Sequence, residues 1–227
     1  MTQEVPGCTG RRSIWSVFGR GLLVLFGMFV AFQVVLRLVR RYYHFPSPSF
    51  ISVFLDSPMR RRFQRPADIV RRADIRSGMR VLEVGPGPGT FTIAASEAVG
   101  PSGEVVAIDI APEMVGRLRA KLAGRHITNV NARLGNAMDL DLADDSFDRV
   151  FLVTVLAEIS DRQRALGEFR RVLKPGGTLS VSEAILDPDY PRRSTVASWC
   201  LQAGFEPAGG FGNIVTYTLN FRKPSQP

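Results

Sequence analysis

The sequence predicts a doubly wound α/β domain with a seven-stranded sheet and an antiparallel C-terminal hairpin, preceded by one transmembrane helix. Two observations predict the domain: apolar strands alternate with helical segments from residue 80 onward, and a glycine-rich turn follows the first strand. The extra helix is predicted because residues 21–36 contain no charged residue. A chain of 227 residues has room for one ordinary domain and such an additional segment.

The positive charge of the chain is confined to its N-terminal part. The net charge is +8, but residues 1–80 carry 14 arginines, no lysine and four acids, whereas residues 81–227 carry 15 basic and 17 acidic residues. A nucleic-acid enzyme would place basic surface around its catalytic domain, where phosphates dock. We therefore expect no nucleic-acid partner, and we expect the N-terminal arginines to contact anionic lipid headgroups.

Residues 14–41 are predicted to form a transmembrane anchor after a short tail, residues 1–13. The 16 uncharged residues between Arg20 and Arg37 cover about 24 Å as a helix, and snorkelling of these two arginines extends the span toward the ~30 Å hydrocarbon core. A cleaved signal peptide is less well supported, because no small-x-small site follows the apolar stretch. A buried core helix would not carry arginines at both of its ends.

A connector, residues 42–65, joins the anchor to the predicted α/β domain, residues 66–227. Prolines end the helix, and an apolar run at 50–55 precedes three consecutive arginines. Such a segment can lie along the bilayer surface or pack on the domain, and the sequence favours neither. The arginines that follow the span agree with a single-pass membrane protein whose domain faces the cytoplasm, although three arginines also precede the span.

The domain is predicted to alternate strands and helices until its last two strands. Strands are expected at 80–84, 104–109, 130–134, 147–153 and 178–183, and helices at 90–99, 112–122 and from the capping box Ser160-x-x-Gln163 to about residue 173. A helix around 194–203 is followed by strand-like segments at 205–209 and 214–222. No helix fits between these two segments, so the last strand should enter antiparallel, as part of a hairpin.

The turn after the first strand carries the most specific pattern. It reads Glu83-Val84-Gly85-Pro86-Gly87-Pro88-Gly89-Thr90, and its glycines let the backbone turn sharply and approach a ligand closely. Asp109 ends the second strand, where an acid can accept hydrogen bonds from ribose hydroxyls. A dinucleotide fingerprint would require glycine at position 90, where the chain has threonine. A nicotinamide dehydrogenase is therefore disfavoured, and the terminal hairpin disfavours it further.

Five segments resemble the successive motifs of the class I S-adenosylmethionine (SAM)-dependent methyltransferases, in the order of that family. They are VLEVGPGPGTFT, GEVVAIDIAPEM, GNAMDL, SFDRVFLVTVLAEISD and RVLKPGG, and the likeness covers about residues 66–222. Within the family the chain looks closest to the members that act on small molecules and lipids, including quinone precursors. The resemblance implies SAM as the cofactor and a small or lipophilic methyl acceptor.

The resemblance also implies which residues bind the cofactor. They are Glu83, Gly85, Pro86, Gly87, Gly89, Asp109, Ile110, Met114, Asn136, Ala137 and Thr154. The glycine loop would surround the methionine part of SAM, and Glu83 would hold its amino group, directly or through water. Asp109 would bind both ribose hydroxyls, and Thr154 would line the sulfonium pocket.

The adenine end of the cofactor is assigned to four residues by the same resemblance. Ile110 and Met114 would lie near the ring, and Ala137 would contact the ring through its backbone. Asn136 would contact the adenine amino group at a position where the family often has Asp. Because an amide oxygen can also accept that hydrogen bond, the resemblance implies weaker or equal binding rather than loss.

No single residue is marked as the catalytic base. Methyl transfer needs alignment, exclusion of water and, for some acceptors, removal of a proton. Glu158 after the fourth strand and His44 in the connector are the candidates, although Glu158 can equally begin a helix and His44 can be an interfacial or packed histidine. Further candidates at the mouth of the site are Asp161, Asp187, Asp189 and Tyr190.

Other chemistries lack their residues. The fourth strand runs into Val153-Thr154-Val155-Leu156, without the Asn/Asp-Pro-Pro-aromatic signature of methyltransferases that modify nucleic-acid amino groups. The two cysteines form no metal-binding motif, so no metal is expected, and Cys200 is expected to be a small buried residue. The alternative function is a catalytically inactive, membrane-bound SAM-binding scaffold or sensor. The oligomeric state does not follow from the sequence.

Overall fold

A computed structural model describes residues 64–225, apart from 186 and 188, and seven isolated positions between residues 21 and 35. The seven positions are helical, and all of these residues are exposed. Four of them carry large apolar side chains: Leu23, Val24, Met28 and Val35. The tail, most of the predicted anchor and nearly all of the connector, with His44, lie outside the described residues. Of the residues that are described, none belongs to a helix long and apolar enough to cross a membrane.

The chain divides into two units, Met1–Tyr43 and His44–Pro227, and the sheet belongs to the second. Its strands are β1 (Arg80–Val84), β2 (Glu104–Asp109), β3 (Val130–Leu134), β4 (Phe147–Val153), β5 (Leu173–Ala184), β6 (Glu206–Gly212) and β7 (Thr216–Arg222). They lie in the order β3-β2-β1-β4-β5-β7-β6. Strands β1 to β5 pair in parallel, and β7 runs antiparallel to β5 and β6. This confirms the doubly wound sheet and its terminal hairpin.

Helices cover both faces of the sheet. They are α1 (Pro66–Arg72), α2 (Thr90–Val99), α3 (Pro112–Ala123), α4 (Arg162–Val172) and α5 (Arg193–Gln202). Neighbouring residues of β1 belong to different cores: Val81 packs with α1 and α2, whereas Leu82 packs with α4 and α5. Because successive side chains of a strand point to opposite faces, these cores lie on opposite sides of the sheet. Cys200 is buried in the second core, as expected, and burial raises the pKa of its thiol to about 12.

Several boundaries differ from the prediction. Strand β6 ends three residues later and β7 begins two residues later than predicted, and two further differences have a visible cause. Helix α4 does not begin at the predicted capping box, because Asp161 rather than Ser160 is its N-cap and accepts a hydrogen bond from the Arg164 N–H at 3.0 Å. Strand β5 begins five residues earlier than predicted, because Leu173 pairs with Phe147 ahead of an irregularity in the register. Residues 174–177, which the predicted bounds leave between the helix and the strand, therefore lie inside a strand.

Strand β7 is buried on both of its faces. Apolar and polar residues alternate along this strand, and Tyr217 of the apolar half packs in the core with α5. The polar half is also buried, because Thr218 and Asn220 are at most 7% exposed. Their hydrogen bonds are made inside the protein: the hydroxyls of Thr218 and Ser182 lie 2.9 Å apart, and Asn220 Nδ2 donates to the Arg72 carbonyl at 2.6 Å. Strand β7 therefore joins α1 to the sheet.

Candidate functional site

The loop between β1 and α2 has a left-handed backbone at its three glycines. Gly85, Gly87 and Gly89 have φ values of +68°, +52° and +80°, which side chains disfavour. A Cβ atom at Gly85 would lie 2.6 Å from the Val155 side chain, and one at Gly89 would collide with Leu118 of α3. A Cβ atom at Gly87 would meet nothing within 4 Å. The first and last glycines thus permit close packing, and the middle one leaves an open side to which a ligand can come close.

Contacts from the neighbouring elements hold this loop in place. Pro86 is buried, and its carbonyl accepts a hydrogen bond from the Gly89 N–H at 3.0 Å. Lys121, near the end of α3, donates from Nζ to the Pro88 carbonyl at 2.8 Å. Lys121 was not predicted as part of the site. A lysine within a helix carries no sequence signal that it will contact a loop 33 residues earlier. The loop is therefore held at both its middle and its end.

Asp109 at the end of β2 is joined directly to the glycine loop. Its Oδ2 accepts a hydrogen bond from the Gly87 N–H at 3.2 Å, and its Oδ1 accepts one from the Ala111 N–H at 2.9 Å. Burial raises the pKa of Asp109, and hydrogen bonds from the backbone N–H groups of Ala111, Gly87 and Ile110 lower it. Each carboxylate oxygen keeps a further acceptor position, so both can receive hydroxyl groups.

Glu83 near the end of β1 is buried beneath the loop, with 2% of its surface exposed. Burial raises the pKa of its carboxyl to about 8, the hydroxyl of Thr92 lowers it, and the Asp109 carboxylate raises it. Thr92 is close enough to act on this charge, yet neither Glu83 Oε2 nor Thr92 Oγ1 makes a hydrogen bond of good geometry with a described residue. Buried polar atoms nearly always have partners. Glu83 Oε2 and Thr92 Oγ1 are therefore available to a hydrogen-bond donor of a bound ligand.

The residues predicted at the adenine end differ in exposure. Ile110 is 60% exposed and can cover a flat ring, whereas Met114 is only 7% exposed and packs beneath the surface. Ala137 is half-buried. Asn136 is also half-buried, and its Oδ1 already accepts a hydrogen bond from the Met138 N–H at 3.0 Å. The amide oxygen that was predicted to meet the adenine amino group therefore has one acceptor position left.

Thr154 directly follows β4 and has an unusual backbone. Its φ of +57° is rare for a β-branched residue, and such strain clusters at ligand sites. The Thr154 N–H donates to the Ser182 carbonyl of β5 at 2.8 Å, and the residue is 9% exposed. Its neighbour Val155 contacts the glycine loop at Gly85. The position predicted to line the sulfonium pocket therefore lies between the glycine loop and β5.

Carboxylates converge beyond β4 and β5. Glu158, in a short 3-10 helix at Leu156–Glu158, has a carboxylate oxygen within 4.8 Å of those of Asp187 and Asp189. The structure thus brings together three of the candidate bases predicted from the ends of two neighbouring strands. Asp161 is not part of this group and serves as the N-cap of α4. We call Glu158, Asp187 and Asp189 the acidic mouth.

Glu183, near the end of β5, had not been predicted as a site residue. It is 1% exposed and pairs in register with Tyr217 of β7. Burial raises the pKa of both Tyr190 and Tyr217, and the charge of Glu183 raises both further. The rings of the two tyrosines meet edge to face with centroids 5.7 Å apart. The signal that could have found it is a charged residue in the strand segment VSEA, whose other members are small or apolar.

A family model described as a methyltransferase domain matches residues 75–208, so the chain belongs to that family. The demethylmenaquinone methyltransferase of Geobacillus kaustophilus is 39% identical over 118 residues, covering 52% of this chain and 50% of that protein. The ubiquinone/menaquinone biosynthesis C-methyltransferase of Pasteurella multocida is 42% identical over 118 residues, covering 50% of this chain and 44% of that protein. This chain thus spans about half the length of the curated relatives that it matches.

The solved structures agree on the fold. A SAM-dependent methyltransferase from Aquifex aeolicus superposes with a TM-score of 0.73 at 23% identity, covering 78% of this chain and 99% of that one. The fold is that of the class I SAM-dependent methyltransferases, whose cofactor is SAM. The site residues fit this cofactor: Asp109 offers both oxygens to hydroxyls, the loop is open at Gly87, and a buried Glu83 oxygen is without a partner among the described residues.

Proposed function

We propose that this protein is a SAM-dependent methyltransferase that acts on a small, lipophilic acceptor at a membrane. The observation that carries the proposal is the pair of acids on either side of the open loop at Gly87. Asp109 is fixed by two backbone N–H groups, and Glu83 holds a buried oxygen that has no hydrogen bond among the described residues. Both acids match the charge of a cofactor with an amino group and ribose hydroxyls.

The residues of this chain would divide the work of methyl transfer. When bound, SAM supplies an electrophilic methyl group, which a nucleophilic atom of the acceptor displaces in line. Glu83 would hold the amino group, Asp109 the ribose, and Ile110 would cover the adenine. The packed junction at Thr154 would exclude water from the reacting atoms.

An acceptor that must lose a proton would give it to the acidic mouth. Glu158 lies on the β4 side of this group, and we propose it as the general base, with carboxylate oxygens of Asp187 and Asp189 within 4.8 Å of its own. His44 lies outside the described residues, and its role in proton removal stays a prediction. The names of the relatives point to aromatic, quinone-type acceptors, which are lipophilic.

The membrane attachment is part of the same proposal. The uncharged stretch at 21–36 is flanked by arginines, and its described positions are helical with exposed apolar side chains. Such a helix gains by burying those side chains in lipid. We propose a single-pass anchor with the domain in the cytoplasm, where SAM is made. Extraction of the full chain from membranes by high salt alone would contradict the anchor.

Incubation of the full chain with methyl-labelled SAM and a total membrane lipid extract tests the activity. We expect label in a lipid-soluble product, lost in Asp109→Ala and reduced in Glu158→Gln. Glu97→Gln, an exposed change on α2, is the matched control and should leave the rate unchanged. Tight binding of SAM without any labelled product would favour the SAM-binding scaffold or sensor instead.

A further inference from the structure

The turn between β6 and β7 lies at the same edge of the sheet as the cofactor loop. Strand β7 begins at Thr216, which pairs with Ala184 at the carboxyl end of β5. The Ile185 N–H then donates to the Val215 carbonyl at 2.8 Å. Because ligands bind at the carboxyl ends of the parallel strands, this turn borders the mouth of the site. We call residues 211–215 the hairpin tip.

The hairpin tip presents large apolar side chains to the outside. Phe211, Ile214 and Val215 are 46%, 73% and 42% exposed. Single exposed apolar residues are ordinary, but three within five positions form a patch. Such patches mark surfaces that meet a protein or a membrane.

The backbone of the tip is already hydrogen-bonded inside the protein. Tyr190 Oη donates to the Ile214 carbonyl at 2.6 Å, Arg193 Nη1 to the Gly212 carbonyl at 3.1 Å, and the N–H groups of Val215 and Thr216 to Asn213 Oδ1 at 2.9 and 3.3 Å. Most loops do not enter lipid, because their backbone N–H and C=O groups would lose their hydrogen bonds to water and find no other partner. This turn can bury its apolar side chains without breaking those bonds.

We propose that the hairpin tip inserts into the surface of a lipid bilayer and so sets the mouth of the site against it. Arg192 is exposed and Arg193 is half-buried at the start of α5, which places positive charge beside the tip for anionic headgroups. Asp187 and Asp189, in the adjacent loop, are half-buried. The same chain carries the uncharged stretch 21–36 in its N-terminal part, so a bilayer is the surface the chain is expected to meet.

A fluorescent probe at the tip tests this insertion. The full chain carrying Cys8→Ser and Ile214→Cys is labelled with an environment-sensitive dye, and Cys200 stays unlabelled because it is fully buried. The matched control carries the dye at Ser102→Cys, in the exposed turn between α2 and β2 at the opposite edge of the sheet. Both proteins are reconstituted with vesicles of phosphatidylcholine and phosphatidylglycerol that contain a spin-labelled lipid as a quencher.

We expect a shift to shorter wavelength and quenching at least about twofold stronger at position 214 than at position 102, retained in high salt because the contact is apolar. Equal, weak quenching at both positions while the chain stays on the vesicles would overturn the proposal. A shift that occurs without lipid would also overturn the proposal. If that shift depends on protein concentration, a second copy of the chain covers the hairpin tip. If it does not, another segment of the same chain covers the tip.

A second variant separates this inference from the proposed methyl transfer. Phe211→Ser, Ile214→Ser and Val215→Ser together should abolish the lipid-dependent part of activity while the affinity for SAM is unchanged, and Leu201→Ser at the other end of α5 should change neither. Quenching does not depend on turnover, so an inactive parent protein would overturn the proposed function and leave the insertion supported. Unchanged activity of the triple variant on bilayer-borne lipid extract would contradict the role of the tip in presenting the site.

Discussion

Replacement of Glu83 by glutamine should stabilise the protein without SAM, increasingly as the pH rises from about 4.5 to about 8. In the folded protein burial raises the pKa of Glu83 to about 8, whereas the ordinary value is 4.5. Between these two values the folded state keeps a proton that the unfolded state has released. The free energy of unfolding therefore falls as the pH rises through this window, and the loss is complete above pH 8.

The size of this effect follows from the two pKa values. At about 1.4 kcal/mol per pH unit, the shift corresponds to roughly 5 kcal/mol as an upper bound at pH 9, and to almost nothing at pH 4.5. Glutamine keeps the shape of the side chain and has no charge to bury. For a domain of this size the change amounts to a rise of roughly 10 °C in Tm at pH 9.

Thermal unfolding of the full chain in a non-ionic detergent, from pH 5 to pH 9 and without SAM, measures this difference. Glu97→Gln on the exposed face of α2 is the control for removing a carboxylate, and we expect it to change Tm by at most a degree or two at any pH. The same Tm difference between parent and Glu83→Gln at pH 5 and pH 9 would refute the reasoning.

The same carboxyl predicts a proton that is released when SAM binds. At pH 7 most Glu83 side chains are protonated in the free protein, and an ammonium group beside Oε2 favours the ionised form. Calorimetric titration with SAM in buffers of different ionisation enthalpy should give a release close to one proton at pH 7. The variant Glu83→Gln should release none and should bind SAM more weakly at every pH.

Three further substitutions test the geometry of the site and its helix. Asp109→Asn should raise the Kd for SAM by roughly 10- to 100-fold, because hydrogen bonds to a charged group contribute about 1.5–3 kcal/mol, and equilibrium dialysis measures this. Gly87→Ala should keep the fold but weaken SAM binding, whereas Gly89→Ala should lower the free energy of unfolding by more than about 2 kcal/mol because it collides with α3. Asp161→Ala should cost about 1 kcal/mol through the lost N-cap while Ser160→Ala costs almost nothing, as denaturant unfolding would detect.

The opposite results are equally specific. An unchanged Kd in Asp109→Asn would mean that this carboxylate does not meet the cofactor. Equal stability of Gly87→Ala and Gly89→Ala would contradict the packing of the loop against α3. A larger loss for Ser160→Ala than for Asp161→Ala would restore the capping box that the sequence predicts.

Most of the sheet could be predicted from the sequence because its strands are short, apolar and bounded by turns. The first four strands have the predicted bounds, and the antiparallel entry of β7 followed from the absence of a helix before it. The start of β5 could not be predicted, since Pro-Gly-Gly reads as a turn and only the pairing of Leu173 with Phe147 extends the strand. The alternation of apolar and polar residues in β7 likewise does not predict that the polar side is buried against α1, where Asn220 bonds to Arg72.

The cofactor side of the site was predictable because its residues stand in fixed order at strand ends. The loop glycines, Asp109 and Glu83 lie together as the resemblance implied. Thr92 and Glu183 were missed, because each acts through neighbours that are distant in sequence or on another element. A hydroxyl in the first turn of a helix and an acid near the end of a buried strand become informative only when the fold brings them to a site.

The two halves of the site are linked through the residues that follow β4. Val155 fills the space left by the missing side chain at Gly85, and the preceding Thr154 is held in its unusual backbone by a hydrogen bond to Ser182 of β5. The position of the cofactor loop is thus tied to the same strand that carries Glu183 and leads to the acidic mouth. Because packed junctions of this kind do not deform gradually, a change at Gly85 should disturb acceptor alignment as well as SAM binding. In the proposed function, the unusual backbone of Thr154 would hold the cofactor side and the acceptor side at one fixed distance.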